Sequence, residues 1–228
     1  MPTLRHRYQT YEFDQLDVHV RTLRDRQEFD ESESDNVIPG LSPANWSLFG
    51  VVWNSSVTLA HIVNNFDAKN LRILEVGCGI GLASLVLSSK NADITATDHH
   101  PLAESFLNYN ADLNGFKRIG FVRADWNSKN SSLGQFDLVI GSDLLYEPQS
   151  VEYLSGFIDS RARPSSQVII VDPGRGLTAK FKSRMSKLGF TANSRASDVL
   201  LIDDLPNAQV MRFSRLKPDL TNQLTGDA

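Results

Sequence analysis

The sequence predicts an α/β fold, a mostly parallel sheet with helices on both faces, on three observations. Short apolar runs alternate with segments of helical periodicity from residue 72 to residue 188. A glycine-rich bend closes the first of those runs. Acidic residues then stand at the ends of the first three. Strands separated by helices are joined by crossovers, so they run parallel and need cover on both faces.

The elements follow in order. Residues 8–29 alternate loosely, with Phe13, Leu16, Val18 and Val20 among polar neighbours, and predict an N-terminal β-hairpin extension. Residues 30–42 are acidic, contain Pro39-Gly40, and read as a mobile connection. Trp53, Leu59, Ile62, Val63 and Phe66 recur at helical spacing, with Asn54 and Ser55 suited to cap the first turn. Residues 72–76 form the first strand of the sheet, and Leu82, Leu85, Val86 and Ser89 mark the helix after it. Residues 93–97 are the second strand, followed by a helix through Leu102, Phe106, Tyr109 and Leu113. Phe121-Val122 centres a third strand and residues 136–141 a fourth. Val151, Leu154, Phe157 and Ile158 mark a helix, residues 168–171 a buried strand, and Leu177, Phe181, Met185 and Leu188 a further helix. Residues 190–202 and 208–216 read as two last strands able to pair as an antiparallel hairpin. The domains expected are residues 1–45 as extension and linker, 46–216 as the α/β domain, and 217–228 as a flexible tail.

The composition narrows the function classes. A length of 228 residues suits one well-buried domain. A hydrophobic share of 41% with 22% charged residues excludes a disordered or fibrous chain. The net charge of -4 speaks against nucleic acid as the main partner. The single cysteine, Cys78, cannot close an internal disulfide, and no secretory leader precedes the first hydrophobic segment, so a cytoplasmic location is expected. No apolar run reaches the roughly 20 residues that span a bilayer, so no membrane partner is expected. A monomer is expected.

The bend carries the chemistry. Glu75-Val76-Gly77-Cys78-Gly79-Ile80-Gly81 leaves a strand and enters a helix, and the absent side chains let a ligand lie on the backbone. A dinucleotide fingerprint would need glycine where Leu82 stands, and no Gly-Lys-Ser or Gly-Lys-Thr of a phosphate loop follows. Glu75 would repel a pyrophosphate and suits a ligand with an ammonium group. S-adenosyl-L-methionine has that ammonium, a sulfonium and no phosphate. Asp98, at the end of the second strand, can accept both ribose hydroxyls. Asp125 can accept from the adenine amino group while Trp126 covers the ring. A tight turn without a ligand is the alternative reading of the bend.

The stretch from about residue 48 to residue 147 resembles the class I, seven-β-strand methyltransferases, and within them methyltransferase family 16, a branch of small protein-lysine methyltransferases. The resemblance rests on Trp53, Glu75 to Gly81, Asp98, Asp125-Trp126 and Ser142-Asp143-Leu144-Leu145-Tyr146-Glu147. It implies a Rossmann-like sheet of order 3-2-1-4-5-7-6 with the last strand antiparallel. It implies cofactor binding by Trp53, Glu75, Gly77, Gly79, Gly81, Asp98, Asp125 and Trp126. Asp143 and Tyr146 would border the transferred methyl as catalytic residues, and the partner would be a protein carrying the acceptor lysine. Asp143 could otherwise be a helix N-cap, and Trp53 and Tyr146 plain core residues.

Other features carry less. His99-His100 invites a metal reading, but adjacent imidazoles rarely share an ion, and no metal site is expected. Cys78 reads as a small filler. Arg161, Arg163, Lys180, Lys182, Arg184 and Lys187 read as a solvated basic face, with an acidic protein or RNA surface as the alternative. Asp172-Pro173-Gly174-Arg175 reads as a rigid turn, with a wall of the acceptor pocket as the alternative. The expected function is lysine N-methylation. A small-molecule or other side-chain acceptor is the competing enzyme reading. A non-catalytic binding module is the third, disfavoured by the presence of all four acids.

Overall fold

A computed structural model of the chain describes residues 4–25, 48–127, 133–193 and 209–216. The predicted connection at 30–42 and the predicted tail at 217–228 lie outside the described residues. The chain opens with a hairpin of β1 (His6–Phe13) and β2 (Leu16–Leu23), and α1 (Asn54–Asn64) follows. Three crossover units come next: β3 (Arg72–Val76) and α2 (Leu82–Ser89), β4 (Asp93–Asp98) and α3 (Ala103–Leu113), then β5 (Gly120–Arg123) leading to β6 (Phe136–Ser142). Finally come α4 (Ser150–Arg161), β7 (Ala162–Asp172), α5 (Thr178–Lys187), β8 (Thr191–Asn193) and β9 (Gln209–Leu216).

The seven-stranded sheet has the order β5-β4-β3-β6-β7-β9-β8. The pairs from β5 through β7 are parallel, while β9 runs antiparallel to both β7 and β8. This is the expected order with the last strand reversed. β7 extends back to Ala162, beyond the apolar run that announces it, because pairing with β9 draws polar Ser165, Ser166 and Gln167 into the sheet. The start of α1 differs in detail from expectation. Trp53, in extended conformation, is the N-cap and no side chain caps the turn, because an indole has no acceptor for the free amides and Asn54 and Ser55 already lie inside the helix.

Two cores follow from the two-residue period of the strands. Ile73, Leu138, Ile140, Ile169 and Val171 face α1, α2, α3 and the hairpin. Their neighbours Leu74, Val139, Val168 and Ile170 face α4 and α5. Phe13, Val18, Val20 and Leu23 from the hairpin are fully buried in the first of these cores.

Two asparagines lock the hairpin in place. Asn110 accepts from Arg21 N–H at 2.8 Å and donates to Arg21 C=O at 3.2 Å. Asn114 does the same for His19, at 2.8 and 2.6 Å. Residues four apart on a helix are about 6 Å apart along its axis, and residues two apart on a strand about 6.6 Å, so the spacings match. The Arg21 guanidinium lies 3.5 Å from the Tyr109 ring centroid, a cation–π contact on the same seam. At its far end the hairpin ties to Gly50 through Leu23 N–H, at 2.7 Å. That tie places residues 48–53 over the carboxyl edge of the sheet.

Candidate active site

From β3 the strands are laid down outward through β4 and β5 on one side, and the chain then crosses to β6 on the other side of β3, so a crevice opens beyond the carboxyl ends of these strands. The bend fills its floor. Gly77, Gly79 and Gly81 have φ of 60°, 54° and 79°, where a side chain is strained. A Cβ on Gly77 would meet Leu144 Cδ2 at 2.5 Å, and one on Gly81 would meet Leu107 Cδ1 at 2.4 Å. A Cβ on Gly79 would meet nothing within 4 Å. Two of the glycines therefore allow close packing, and the third presents bare backbone to open space.

Above this floor lies a cavity of about 310 Å³, within the range of small-molecule sites. Of the residues singled out from sequence, Trp53, Gly77, Gly79, Asp98, Asp125, Trp126, Asp143 and Tyr146 line it together. Asp98 braces the floor: one carboxylate oxygen accepts from Gly79 N–H and the other from His100 N–H, each at 2.8 Å. Each oxygen keeps a further lone pair. Asp125 accepts from Asn127 N–H at 2.9 Å. Trp126 reaches within 3.4 Å of where a Gly77 Cβ would stand, and its ring centroid is 6.5 Å from that of Tyr146. Trp53 donates from its indole to the Leu48 carbonyl at 3.1 Å, which fixes the ring at the rim.

Glu75 and Gly81 are not among the described residues that line the cavity. The strand period turns Glu75 to the α2 face, where its Oε2 accepts from Ser84 N–H at 3.0 Å and from the Ser84 hydroxyl. It thereby satisfies an otherwise orphaned amide in the first turn of α2. Burial pushes its carboxyl up to about 7, the Ser84 hydrogen bonds opposing. Its charge is not displayed to a ligand. The charge of the cavity comes instead from Asp98, Asp125, Asp143 and Glu147, set against Arg175.

Asp143 has an unusual setting. Its φ is 59°, a conformation held by a 2.8 Å hydrogen bond from its N–H to the Val171 carbonyl. Its side chain is 9% exposed and forms an ion pair with Arg175. Burial pushes the carboxyl above its ordinary value; Arg175 opposes the rise, and Asp172 adds to it. Burial likewise raises the Tyr146 phenol, which is neutral near pH 7. The helix-cap reading of Asp143 is corrected, since the N-cap of α4 is Gln149. The rigid-turn reading of residues 172–175 is also incomplete. Asp172 Oδ1 accepts from Gly174 N–H at 2.8 Å and Arg175 N–H at 3.2 Å, and the turn delivers Arg175 to the cavity.

Sequence reasoning missed Phe49 and Tyr153 as cavity residues, considered His100 only for a metal, and held a pocket wall as the alternative reading of the turn that carries Arg175. Phe49 stacks on His100 with ring centroids 3.9 Å apart. Burial, then His99 and Arg123, lowers the His100 imidazole to about 3, and its Nδ1 accepts from Leu102 N–H at 3.2 Å. His100 is a neutral wall. Among the described residues no cluster of ligands could hold a metal ion, and no helix is long and apolar enough to cross a membrane. Part of the basic region is paired: Arg163 with Asp137 at 2.7 Å and Arg184 with Glu152 at 2.5 Å.

Known proteins are similar to this chain. The protein N-lysine methyltransferase METTL21A of Danio rerio is 32% identical over 114 residues, covering 45% of this chain and 51% of that protein. The histone-arginine methyltransferase METTL23 of Xenopus laevis is 25% identical over 135 residues, covering 56% of each. The chain thus spans about half the length of the curated relatives it matches. Among solved structures, magnesium protoporphyrin IX methyltransferase from Synechocystis PCC 6803 with bound SAM is similar at a TM-score of 0.54 and 18% identity. That match covers 71% of this chain and 77% of that one, and it shows the shared fold. The family described as lysine methyltransferase matches residues 42–186. That span starts before the segment carrying Phe49, ends within α5 and takes in the described residues that line the cavity, and so the chain belongs to the lysine methyltransferase family.

Proposed function

We propose that this chain is an S-adenosylmethionine-dependent methyltransferase acting on a lysine side chain of a protein. The observation that carries the reading is one cavity in which the bare backbone at Gly79, braced by Asp98, continues into the half-buried Asp143 and Tyr146. The residues present fit the cofactor. Gly79 leaves room for a ligand on the chain, Asp98 has lone pairs to spare for ribose hydroxyls, and acids outnumber the lone guanidinium, which suits a cation and not a phosphate. Gly77 and Gly79 would hold its methionine part, Asp98 the ribose, and Asp125 and Trp126 the adenine. Trp53 at the rim would face positive charge. Glu75 and Gly81 act from beneath, by holding α2 and the bend in shape. Residues 46–216 form the catalytic domain in this reading, and the buried lone Cys78 fits a reducing cytoplasm.

When bound, the cofactor supplies a methyl group on a sulfonium, which departs as a neutral thioether and needs no acid. The protein's task is to present a neutral acceptor in line with that methyl. A protonated lysine has no lone pair, so a base is required, and Asp143 lines the same cavity as Gly79 and Asp98. Its raised proton affinity suits it to take the ammonium proton. Tyr146, a neutral phenol, narrows the approach without adding charge. The named function of METTL21A supports the lysine acceptor. An arginine acceptor is the second reading, favoured by the fact that Asp143 already receives a guanidinium, that of Arg175, and by the name of METTL23.

The test has two stages. Calorimetry with S-adenosylmethionine and S-adenosylhomocysteine should show binding, and absence of affinity for either defeats the reading. Incubation of lysate with labelled cofactor, followed by acid hydrolysis, should yield methyllysine. Methylarginine would move the proposal to the second reading, and label soluble before protein precipitation would indicate a small molecule.

A further inference from the structure

We propose that Arg175 occupies the subsite of the acceptor's cationic group, so that an incoming lysine must displace this internal guanidinium from Asp143. The inference rests on the reading of the cavity as a methyl-transfer site. It goes beyond that reading by assigning the 172–176 loop a part in acceptor selection.

Four observations support it. Arg175 lines the same cavity as Asp143 and Tyr146, and its guanidinium pairs with the Asp143 carboxylate, the group best placed to receive an acceptor amine. The two partners are unequal in exposure: the Asp143 side chain is 9% exposed and that of Arg175 is 35% exposed, so the cation sits on the solvent side. Arg175 is flanked by Gly174 and Gly176, with φ of 92° and 86°, so the backbone on both sides is free of the restrictions a side chain imposes. The base of the loop is firm, because the buried Asp172 accepts from Gly174 N–H and Arg175 N–H. The arrangement is a fixed anchor carrying a swinging cation.

Displacement also has a chemical consequence. Arg175 holds down the proton affinity of Asp143 through its charge and its hydrogen bond, against burial and the Asp172 charge. When Arg175 leaves, that restraint goes, and Asp143 becomes a stronger base as the acceptor arrives. The ammonium then gives a proton to the carboxylate, leaving a neutral amine and a neutral carboxyl group. The amine lone pair forms the new nitrogen–carbon bond to the methyl of a sulfonium donor while the carbon–sulfur bond breaks toward sulfur. The proton on Asp143 is afterwards released to water.

The test uses the full chain saturated with S-adenosylhomocysteine and n-butylammonium as a lysine side-chain probe, followed by NMR titration. Arg175→Gln should bind n-butylammonium at least tenfold more tightly than wild type, and Arg175→Lys should stay near wild type. The gain should vanish in Arg175→Gln/Asp143→Asn. Butan-1-ol, of the same length and uncharged, should bind equally to wild type and Arg175→Gln. An equal gain for butan-1-ol would mean that the substitution merely opens the cavity and would overturn the proposal, as would unchanged n-butylammonium binding in Arg175→Gln. Failure of wild type to bind S-adenosylhomocysteine would instead strike the underlying reading of the site.

Discussion

In the reading proposed above the cavity has a donor half and an acceptor half, and the two are built differently. On the donor side the walls are backbone and short contacts: Gly77 and Gly79 in the bend, with Asp98 fixed by two backbone donors. On the acceptor side they are side chains from separate loops, Asp143 and Arg175, joined across 32 residues by one ion pair. In that reading the first half is preorganised for the cofactor. The second is held by a contact that a competing cation can replace. A protein that binds one cofactor and adapts to its acceptor profits from that division.

Substitutions on either side should separate the halves, and the largest effect belongs to the acceptor side. Asp143→Asn should lower methyl transfer by about 10²–10⁴-fold, the usual worth of a general base. Its binding of S-adenosylhomocysteine, measured by calorimetry, should stay close to wild type. A matching loss of binding would erase the division. On the donor side, Asp98→Ala removes a charged acceptor of two backbone hydrogen bonds, and affinity for S-adenosylhomocysteine should fall roughly 10–100-fold.

Within the bend the contrast sharpens. Gly81→Ala forces a Cβ onto Leu107 at a φ of 79° and should cost about 1–3 kcal/mol in denaturant unfolding. Gly79→Ala carries the backbone strain without the clash, so it should unfold closer to wild type yet bind the ligand more weakly. Equal stability of the two variants would refute the division of labour among the glycines.

The smallest effect is a change of slope with pH. The folded-state pKa of Glu75, about 7, lies above its ordinary 4.5. Its contribution to stability is therefore complete below about pH 4.5 and is lost as pH rises through 7. Glu75→Gln should show a stability difference from wild type that is flat at acid pH and moves in favour of the variant between pH 5 and 8. A flat difference throughout would mean that Glu75 is not held in its buried pocket.

The residues proposed for the donor half meet in one cavity as the sequence led us to expect, because they are contiguous or fall at successive strand ends. Gly77, Gly79, Asp98 and Asp125 each come directly from the pattern of runs and bends. Glu75, expected beside the ligand, has its carboxylate against Ser84 at the start of α2, because the strand period turns its side chain to that face. The acceptor half resisted because its key contact joins two loops that only the β6–β7 pairing brings together. Phe49 was invisible for a similar reason, since its place against His100 depends on a hairpin locked to a helix some 90 residues away in the chain.

That lock has a consequence for solubility. A two-stranded ribbon has two open edges, each a template for adding another strand. The paired asparagines of α3 meet the outward N–H and C=O groups of His19 and Arg21 as a third strand would. One helix thus serves as a surrogate strand, sealing the inner edge of the ribbon against self-association while leaving the helix free to pack its apolar side into the core.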